Sequence, residues 1–193
     1  VSKKVSLDFD GVLAHTMDLW ISEFNKQHSS KKTSIADVTA WAFFERDPFS
    51  INEKEAFELF DFCWRHWELI KPVEVDQWYK VEMLKKICKV DVVTSIVKNK
   101  DAIRKWLSMY DIKPDDVVFD QQKWKLDYEV FIDDSPHNAE NIEKEGKICL
   151  LYNQLWNKNV KETKNIIRVY SLDHAIDVLK SLNSSNKGDN GSK

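Results

Sequence analysis

Two short acidic segments carry the chemistry this chain could do. Asp8-Phe9-Asp10-Gly11-Val12 lies near the start and Phe131-Ile132-Asp133-Asp134 well downstream. Each ends an apolar run that reads as a buried strand, residues 5–9 and 130–132. Carboxylates at the C-terminal ends of parallel strands point into the crevice where open α/β sheets bind ligands. Several gathered there would repel one another unless a hard cation sat among them. The first expectation is therefore a magnesium site, and with it phosphate chemistry. An Asp so placed can attack phosphorus. A second, two residues on and facing the same side of an ideal strand, can protonate the leaving oxygen and later deprotonate water. Gly11 permits a sharp turn where a bulky residue would block a phosphate. Alone, D-x-D-G reads equally as a strand followed by a polar turn.

Three weaker signals fall between and after these segments. Thr94 and Ser95 close the apolar run 90–93, where hydroxyls and N–H groups can hold phosphate oxygens. Most such pairs are ordinary turn residues. Lys123, in Gln121-Gln122-Lys123-Trp124-Lys125, occupies a loop from which an ammonium could neutralise a transferring phosphoryl group. Most loop lysines are simply solvated. Asp133-Asp134 precede Ser135-Pro136, an N-cap followed by a first helical residue, so one Asp could merely cap a helix.

The positioning elements follow an α/β pattern. After residue 94 the spacing predicts a helix over 100–109, strands at 117–119 and 129–132, and a helix from about 137. A strand at 148–151 and a helix near 172–182 follow. That alternation means a parallel sheet. Between the first strand and residue 90 lies a long stretch of helical periodicity with almost no β signal. Ser50-Ile51-Asn52-Glu53 has the capping-box pattern and opens a helix with Phe57, Phe60, Trp64, Trp67 and Ile70 on one face, closed by Pro72. The expected organisation is a Rossmann-like α/β core, residues 1–14 and 76–182, with a helical cap at 15–75 inserted after the first strand. Residues 183–193, rich in Ser, Asn, Gly and Lys, read as a disordered tail.

Bulk properties narrow the function classes. The 193 residues suit one α/β domain with an insertion. With a net charge of −3, nucleic acid is not an expected general partner. No apolar stretch approaches a membrane span and no signal-peptide pattern is visible. Cys63, Cys88 and Cys149 are scattered and read as reduced, mostly buried thiols, which points to the cytoplasm. Of the 8 Trp, Trp20, Trp41, Trp64, Trp67 and Trp78 precede residue 80.

Strand-DxD, strand-Thr/Ser, loop-Lys and strand-DD, in this order, resembles the haloacid dehalogenase (HAD) superfamily of phosphotransferases and phosphatases. The resemblance covers about residues 5–15 and 90–152. It sharpens toward the 5'(3')-deoxyribonucleotidases: Asp8-Phe9-Asp10-Gly11-Val12-Leu13-Ala14 is similar to their D-M-D-G-V-L-A, and Val93-Thr94-Ser95 to their C-T-S. Lys123 precedes Asp134 by the family's interval. Leu151-Tyr152-Asn153-Gln154-Leu155-Trp156-Asn157 resembles the F-N-Q-P-Y-N-type segment of bacterial relatives.

The resemblance implies Mg²⁺ held by Asp8, the Asp10 carbonyl and Asp134. It implies phosphate held by Thr94, Ser95 and Lys123, with Asp133 in support behind them. Asp8 becomes the nucleophile and Asp10 the general acid/base of a phosphomonoesterase acting on nucleoside, first of all deoxynucleoside, monophosphates. The family's base-stacking Phe, eight residues after the nucleophile, is replaced here by Thr16. Ala40-Trp41-Ala42 aligns with an aromatic cluster of the family's cap, which makes Trp41 the first cap aromatic assigned to a ligand; most others are assigned to packing. Two rival readings stand. One is a phosphatase for another small metabolite or for a nucleic-acid 3'-phosphate, kept open by Lys98, Lys100, Arg104, Lys105, Lys123 and Lys125. The other is a non-catalytic phosphate-binding protein, against which the retained Asp10 argues. A homodimer is left open.

Overall fold

A computed structural model describes residues 3–188. Its centre is a six-stranded parallel sheet of β1 (Lys4–Leu7), β2 (Lys89–Thr94), β3 (Asp116–Phe119), β4 (Val130–Asp133), β5 (Ile148–Tyr152) and β6 (Ile166–Val169). The spatial order is β3-β2-β1-β4-β5-β6. A parallel sheet is covered on both faces, so its inner strands are predominantly apolar. Val90, Val92 and Val93 of β2 are buried, as are Val130, Phe131 and Ile132 of β4 and Cys149, Leu150 and Leu151 of β5. Helices α1 (Thr16–Gln27), α2 (Glu53–Arg65), α3 (Gln77–Lys85), α4 (Lys100–Met109), α5 (Pro136–Lys144) and α6 (Leu172–Gly188) complete the fold.

Strand order reverses beside β1. The chain builds outward through β2 and β3 on one side, and through β4 to β6 on the other. Such a switch point leaves a crevice at the carboxyl ends of the strands. Leu7 lies opposite both Val92 and Ile132. This register brings Asp8 level with Asp133, fixed by the Asp8 N–H donating to the Ile132 carbonyl at 2.9 Å.

The chain leaves the core after β1 and returns close to where it left. The His15 N–H donates to Lys71 O and the Val73 N–H to Leu13 O, both at 2.8 Å, and Ala14 bridges Pro72. Between these stitches α1 packs on α2. An aromatic cluster fills the space: Trp20 stacks on Phe24 at 5.4 Å and meets Phe43 and Phe49 edge-on at 5.0 and 5.6 Å. The buried Trp20 N–H is satisfied by Ala56 O at 3.1 Å. These rings are packing, as most of the insertion's aromatics were expected to be.

Several local expectations need correction. Ser50 is not the cap of α2. It sits at φ 48, and Asn52 caps instead, its side chain accepting from the Glu55 N–H at 2.9 Å. The helix ends at Arg65, so Trp67 and Ile70 belong to the following turn, and the buried face runs through Ala56, Leu59, Cys63 and Trp64. Phe57, expected on the packed face, is exposed. Ser135 and Pro136 do begin α5 as read, with Ser135 Oγ accepting from Asn138 N–H at 3.3 Å. Strand β6 was not anticipated. It is a short edge strand whose Arg168 is drawn into the preceding loop by the side chains of Asn153 and Asn157. Helix α6 extends to Gly188, past the tail boundary expected at 183; residues 189–193 lie outside those described.

Candidate active site

Strand ends β1 and β4 bring Asp8, Asp133 and Asp134 together, with ligand oxygens within 4.8 Å of one another, all three residues buried. Lys123 enters the cluster from a single helical turn, Lys123–Lys125, that follows β3. Its Nζ lies 2.8 Å from Asp8 Oδ1 and 2.7 Å from Asp133 Oδ2. The side chain is 2 % exposed, so this lysine is not the solvated loop residue that its sequence context allowed. Lys125, two residues on, is outside the cluster. Burial alone would discharge Lys123, but Asp133 and Asp8 outweigh it and hold the ammonium charged above its ordinary range.

The carboxylates divide by how many partners each already has. Asp133 is fully engaged: besides Lys123 it accepts from Ser135 N–H at 2.9 Å and Asn138 Nδ2 at 3.0 Å. Asp8 Oδ1 accepts from Phe9 N–H at 2.6 Å and from Lys123. Asp134 Oδ2 accepts from the Trp156 indole N–H at 2.9 Å. Asp8 Oδ2 and Asp134 Oδ1 have no partner among the described residues. Burial first, then the negative charge of Asp133, pushes Asp8 up to about 7. Asp134 is raised well above the carboxylate range by burial and by Asp8 and Asp133. Three carboxylates facing one ammonium, with two lone oxygens left over, suit a hard divalent cation. Mg²⁺ takes one or two carboxylates and keeps several waters, and this donor set fits that pattern. Asp8 and Asp134 would hold it, with Asp133 fixing Lys123 behind them.

Backbone space at the same point is reserved. Gly11 has φ +74, and a Cβ built there falls 2.1 Å from Asp134 Oδ2. Any side chain would evict that carboxylate, so the glycine serves the acidic cluster as well as the turn. Gln154 Nε2 donates to Gly11 O at 2.6 Å, and Asn157 Nδ2 donates to Asp134 O at 2.8 Å. The segment 152–157 therefore girdles the cluster, through contacts that its sequence could not announce.

The Asp10 carboxylate lies outside the group of three carboxylates, and it is the backbone carbonyl of Asp10, not this side chain, that the resemblance assigns to the cation. The carboxylate accepts from the Thr16 hydroxyl at the start of α1. Burial lifts it to about 7, against the opposing pull of the Thr16 hydrogen bond and the Lys123 charge. At Thr16, where the resemblance led to the expectation of a stacking ring, the chain thus holds a hydroxyl that binds Asp10. Thr94 is buried at the end of β2, with its Oγ1 accepting from Ile96 N–H at 3.2 Å, whereas Ser95 is exposed.

A cavity of 660 Å³ opens above these groups, within the range of small-ligand pockets. Asp8, Asp10, Asp134, Thr94, Ser95 and Lys123 line its inner end. Trp41, Phe57, Phe60 and Trp64 from the insertion line it too, Trp64 packing on the Phe9 ring at 5.3 Å. Trp41 is 52 % exposed and Phe57 56 %, large rings that the fold leaves uncovered. Asp133 lies behind the wall rather than on it. The structure thus gathers the sequence-predicted residues around one cavity. Trp156, Asn138, Gln154 and Thr16 are added by tertiary contact alone.

A family model for 5' nucleotidase, deoxy (pyrimidine), cytosolic type C proteins matches residues 2–183. The chain belongs to that family. It is a phosphomonoester hydrolase. Solved structures agree on the fold. A haloacid dehalogenase-like hydrolase from Streptococcus pneumoniae is 12 % identical with a TM-score of 0.63, the match covering 94 % of this chain and 98 % of that one. A haloacid dehalogenase-like hydrolase from Xanthomonas campestris is 12 % identical with a TM-score of 0.61, covering 97 % and 94 %. The HAD-hydrolase YfnB from Bacillus subtilis, solved bound to magnesium, is 11 % identical with a TM-score of 0.61, covering 93 % and 99 %. No curated protein matches the chain. Among the described residues no helix of this nucleotidase-family chain is long and apolar enough to cross a membrane. Cys63, Cys88 and Cys149 are buried free thiols.

Proposed function

We propose that this chain is a cytoplasmic Mg²⁺-dependent phosphomonoesterase that hydrolyses nucleoside monophosphates, deoxynucleotides first, through an aspartyl-phosphate. One observation carries the reading. A single cavity joins an acidic, lysine-bearing end to an uncovered aromatic wall. A phosphate at the first end and a flat base at the second would satisfy both.

The free Oδ2 of Asp8 attacks phosphorus, forming a P–O bond as the bond to the nucleoside oxygen breaks. Asp10 gives that oxygen its proton. Asp10 then takes a proton from water, whose oxygen attacks the phosphorus and releases Asp8. A carboxyl lifted to about 7 is suited to both transfers near neutral pH. The Lys123 ammonium, with Thr94 and Ser95, holds the phosphoryl oxygens as charge shifts among them. Bound Mg²⁺ would supply further positive charge at the phosphoryl group. Asp133 positions Lys123 and never meets the phosphate.

Lys123→Ala should lower kcat/KM at least about tenfold more than Lys125→Ala, since a charge-stabilising group in a closed site is worth a few kcal/mol. Removing one partner of a buried pair also costs stability, about 3–5 kcal/mol. A melting curve must accompany the assay, and Lys123→Arg should restore stability better than turnover. Equal losses at the two lysines would remove Lys123 from the mechanism.

A panel of phosphate esters tests the substrate class. Nucleoside 5'-monophosphates should outcompete sugar phosphates by about tenfold or more, the 1–3 kcal/mol of one base stacked on an aromatic ring. Trp41→Ala should reduce the ratio of kcat/KM for dUMP to that for p-nitrophenyl phosphate. Sugar phosphates turned over as well as nucleotides, or an unchanged ratio in the Trp41 variant, would leave only the general phosphatase. A nucleic-acid 3' end receives little support. Of the six basic residues near the expected mouth, only Lys98 and Lys123 line the cavity, and Lys100 and Arg104 lie instead over the Phe119 ring.

A further inference from the structure

One guanidinium pins the loop that girdles the acidic cluster. Arg168 of edge strand β6 is partly buried. One of its terminal nitrogens, Nη1, donates to Asn153 Oδ1 at 3.1 Å and to Asn157 Oδ1 at 2.8 Å. The other, Nη2, donates to Asn157 O at 3.1 Å and to Val160 O at 2.8 Å. All four acceptors are neutral oxygens of the segment 153–160. Arg168 thus acts on that loop as a fork of donors.

Asn157 is 1 % exposed and uses both ends of its amide. Its Oδ1 accepts from Arg168 and, at 3.1 Å, from Gln154 N–H. Its Nδ2 donates to Tyr152 O at 2.7 Å and to Asp134 O at 2.8 Å. A guanidinium has donors and no acceptor, so the amide oxygen must face it. The amide N–H groups are thereby turned to the two carbonyls. A flipped amide would set oxygen against oxygen on one side and N–H against N–H on the other. The adjacent residue, Trp156, gives its indole N–H to Asp134 Oδ2. Two consecutive residues of the pinned loop therefore hold the Asp134 backbone and one of its carboxylate oxygens. Mg²⁺ demands near-ideal octahedral geometry, so a small displacement of such a ligand weakens binding.

We infer that Arg168 is a positioning residue for the cation site: by fixing the Asn157 amide it fixes Asp134. This inference rests on the Mg²⁺-dependent reading above, with Asp134 as a ligand.

The test begins with the metal alone. Mn²⁺ shares the oxygen ligands and octahedral geometry of Mg²⁺. It is titrated into the metal-free protein, and free Mn²⁺ is read by electron paramagnetic resonance. The panel is the wild type, Asp134→Ala, Arg168→Met, Arg168→Lys and Asn157→Asp, each checked for folding by its metal-free melt. Arg168→Met should weaken Mn²⁺ binding by about tenfold to a hundredfold, the worth of an outer partner at a metal site. Asn157→Asp separates positioning from mere support of the loop. Its carboxylate still accepts from Arg168 and Gln154 N–H, but it has no donor for Asp134 O. It should weaken Mn²⁺ binding over the same range. Arg168→Lys, a point charge in place of a fork, should fall between the wild type and Arg168→Met. With p-nitrophenyl phosphate, the variants should need more Mg²⁺ for half-activation by matching factors, and regain most of the wild-type kcat at saturating Mg²⁺. If Arg168→Met or Asn157→Asp fails to fold, Arg168→Lys carries the test through these same two readouts. Wild-type Mn²⁺ affinity in Asn157→Asp would mean that Arg168 merely supports the loop, and would overturn the inference. So would wild-type affinity in the Arg168 variants, or a loss of kcat that Mg²⁺ does not restore. A wild type that binds no Mn²⁺, or Asp134→Ala binding it as the wild type does, would overturn the metal reading and this inference together.

Discussion

Asp8→Asn is expected to abolish turnover, by at least about 10⁴-fold in kcat, while leaving the fold intact. An amide cannot form the aspartyl-phosphate, and what survives loss of a covalent nucleophile is only binding and charge stabilisation. The substitution is nearly isosteric, so its side-chain oxygen can still accept from Phe9 N–H and Lys123. Its effect on stability should run opposite to its effect on rate. Asp8 is raised from 3.8 to about 7 on folding, so the wild type loses stability as pH rises from near 3.8 through about 7, where the unfolded chain ionises first. Without metal, Asp8→Asn should melt at the same temperature as the wild type below about pH 3.8. It should melt higher above about pH 7. Asp10→Asn should differ in kind. It should still permit phosphorylation of Asp8 by an ester whose leaving group needs no proton, and be slow to complete the cycle. Near-normal hydrolysis by a folded Asp8→Asn protein would refute the covalent route.

Chelation should have an effect of the same size. In EDTA the enzyme should be inactive, and Mg²⁺ should restore it. The buried cluster sets three carboxylates against one ammonium, and among the described residues Asp8 and Asp134 each keep an oxygen without a partner. Asp134→Ala should raise the Mg²⁺ concentration for half-activation by at least about a hundredfold, since even outer partners of a metal site are worth 10–100-fold. Asp133→Ala should act differently, by freeing Lys123 rather than by removing a ligand. Ca²⁺ should bind yet support turnover poorly, because its looser coordination fits in-line transfer less well. Full activity in chelator would sink the assignment.

Much of this site was legible because its residues sit at strand ends. The apolar runs before Asp8 and Asp133 identify buried parallel strands, and a parallel sheet dictates which end carries ligand chemistry. Ser135-Pro136 marks the start of α5 through local capping geometry alone. What escaped reading depends on contacts across the chain. Trp156 meets Asp134, Gln154 meets Gly11, and Thr16 meets Asp10 only after folding, and nothing in their own neighbourhoods indicates it. The flanks of Lys123 alone read as a solvated loop, because burial of a lysine is decided by its partners, and only its interval to Asp134 assigned it to the phosphate. Strand β6 was missed because Ile166-Ile167-Arg168-Val169 is a short run interrupted by a charge, stabilised by pairing with β5. The cap signal before α2 was placed two residues early, since Ser50 and Asn52 both satisfy the local pattern and only the backbone angle at Ser50 decides between them.

The stitches at the base of the insertion bear on how the chain reaches its fold. Residues of β1 and β2 that pair in register, such as Leu7 and Val92, are far apart in sequence. Closing so long a loop early is entropically slow, although each doubling of length adds only about 0.6 kcal/mol. The crossing at Leu13-Ala14-His15 and Lys71-Pro72-Val73 shortens that path. Once the helices between them collapse on Trp20, the ends of β1 and α3 are already neighbours, and β2 has only one helix left to cross. Collapse of the aromatic cluster is then a step in assembling the sheet as well as in building the wall of the cavity. Core substitutions at Trp20 should slow folding as well as speed unfolding, the kinetic signature of a region structured in the transition state.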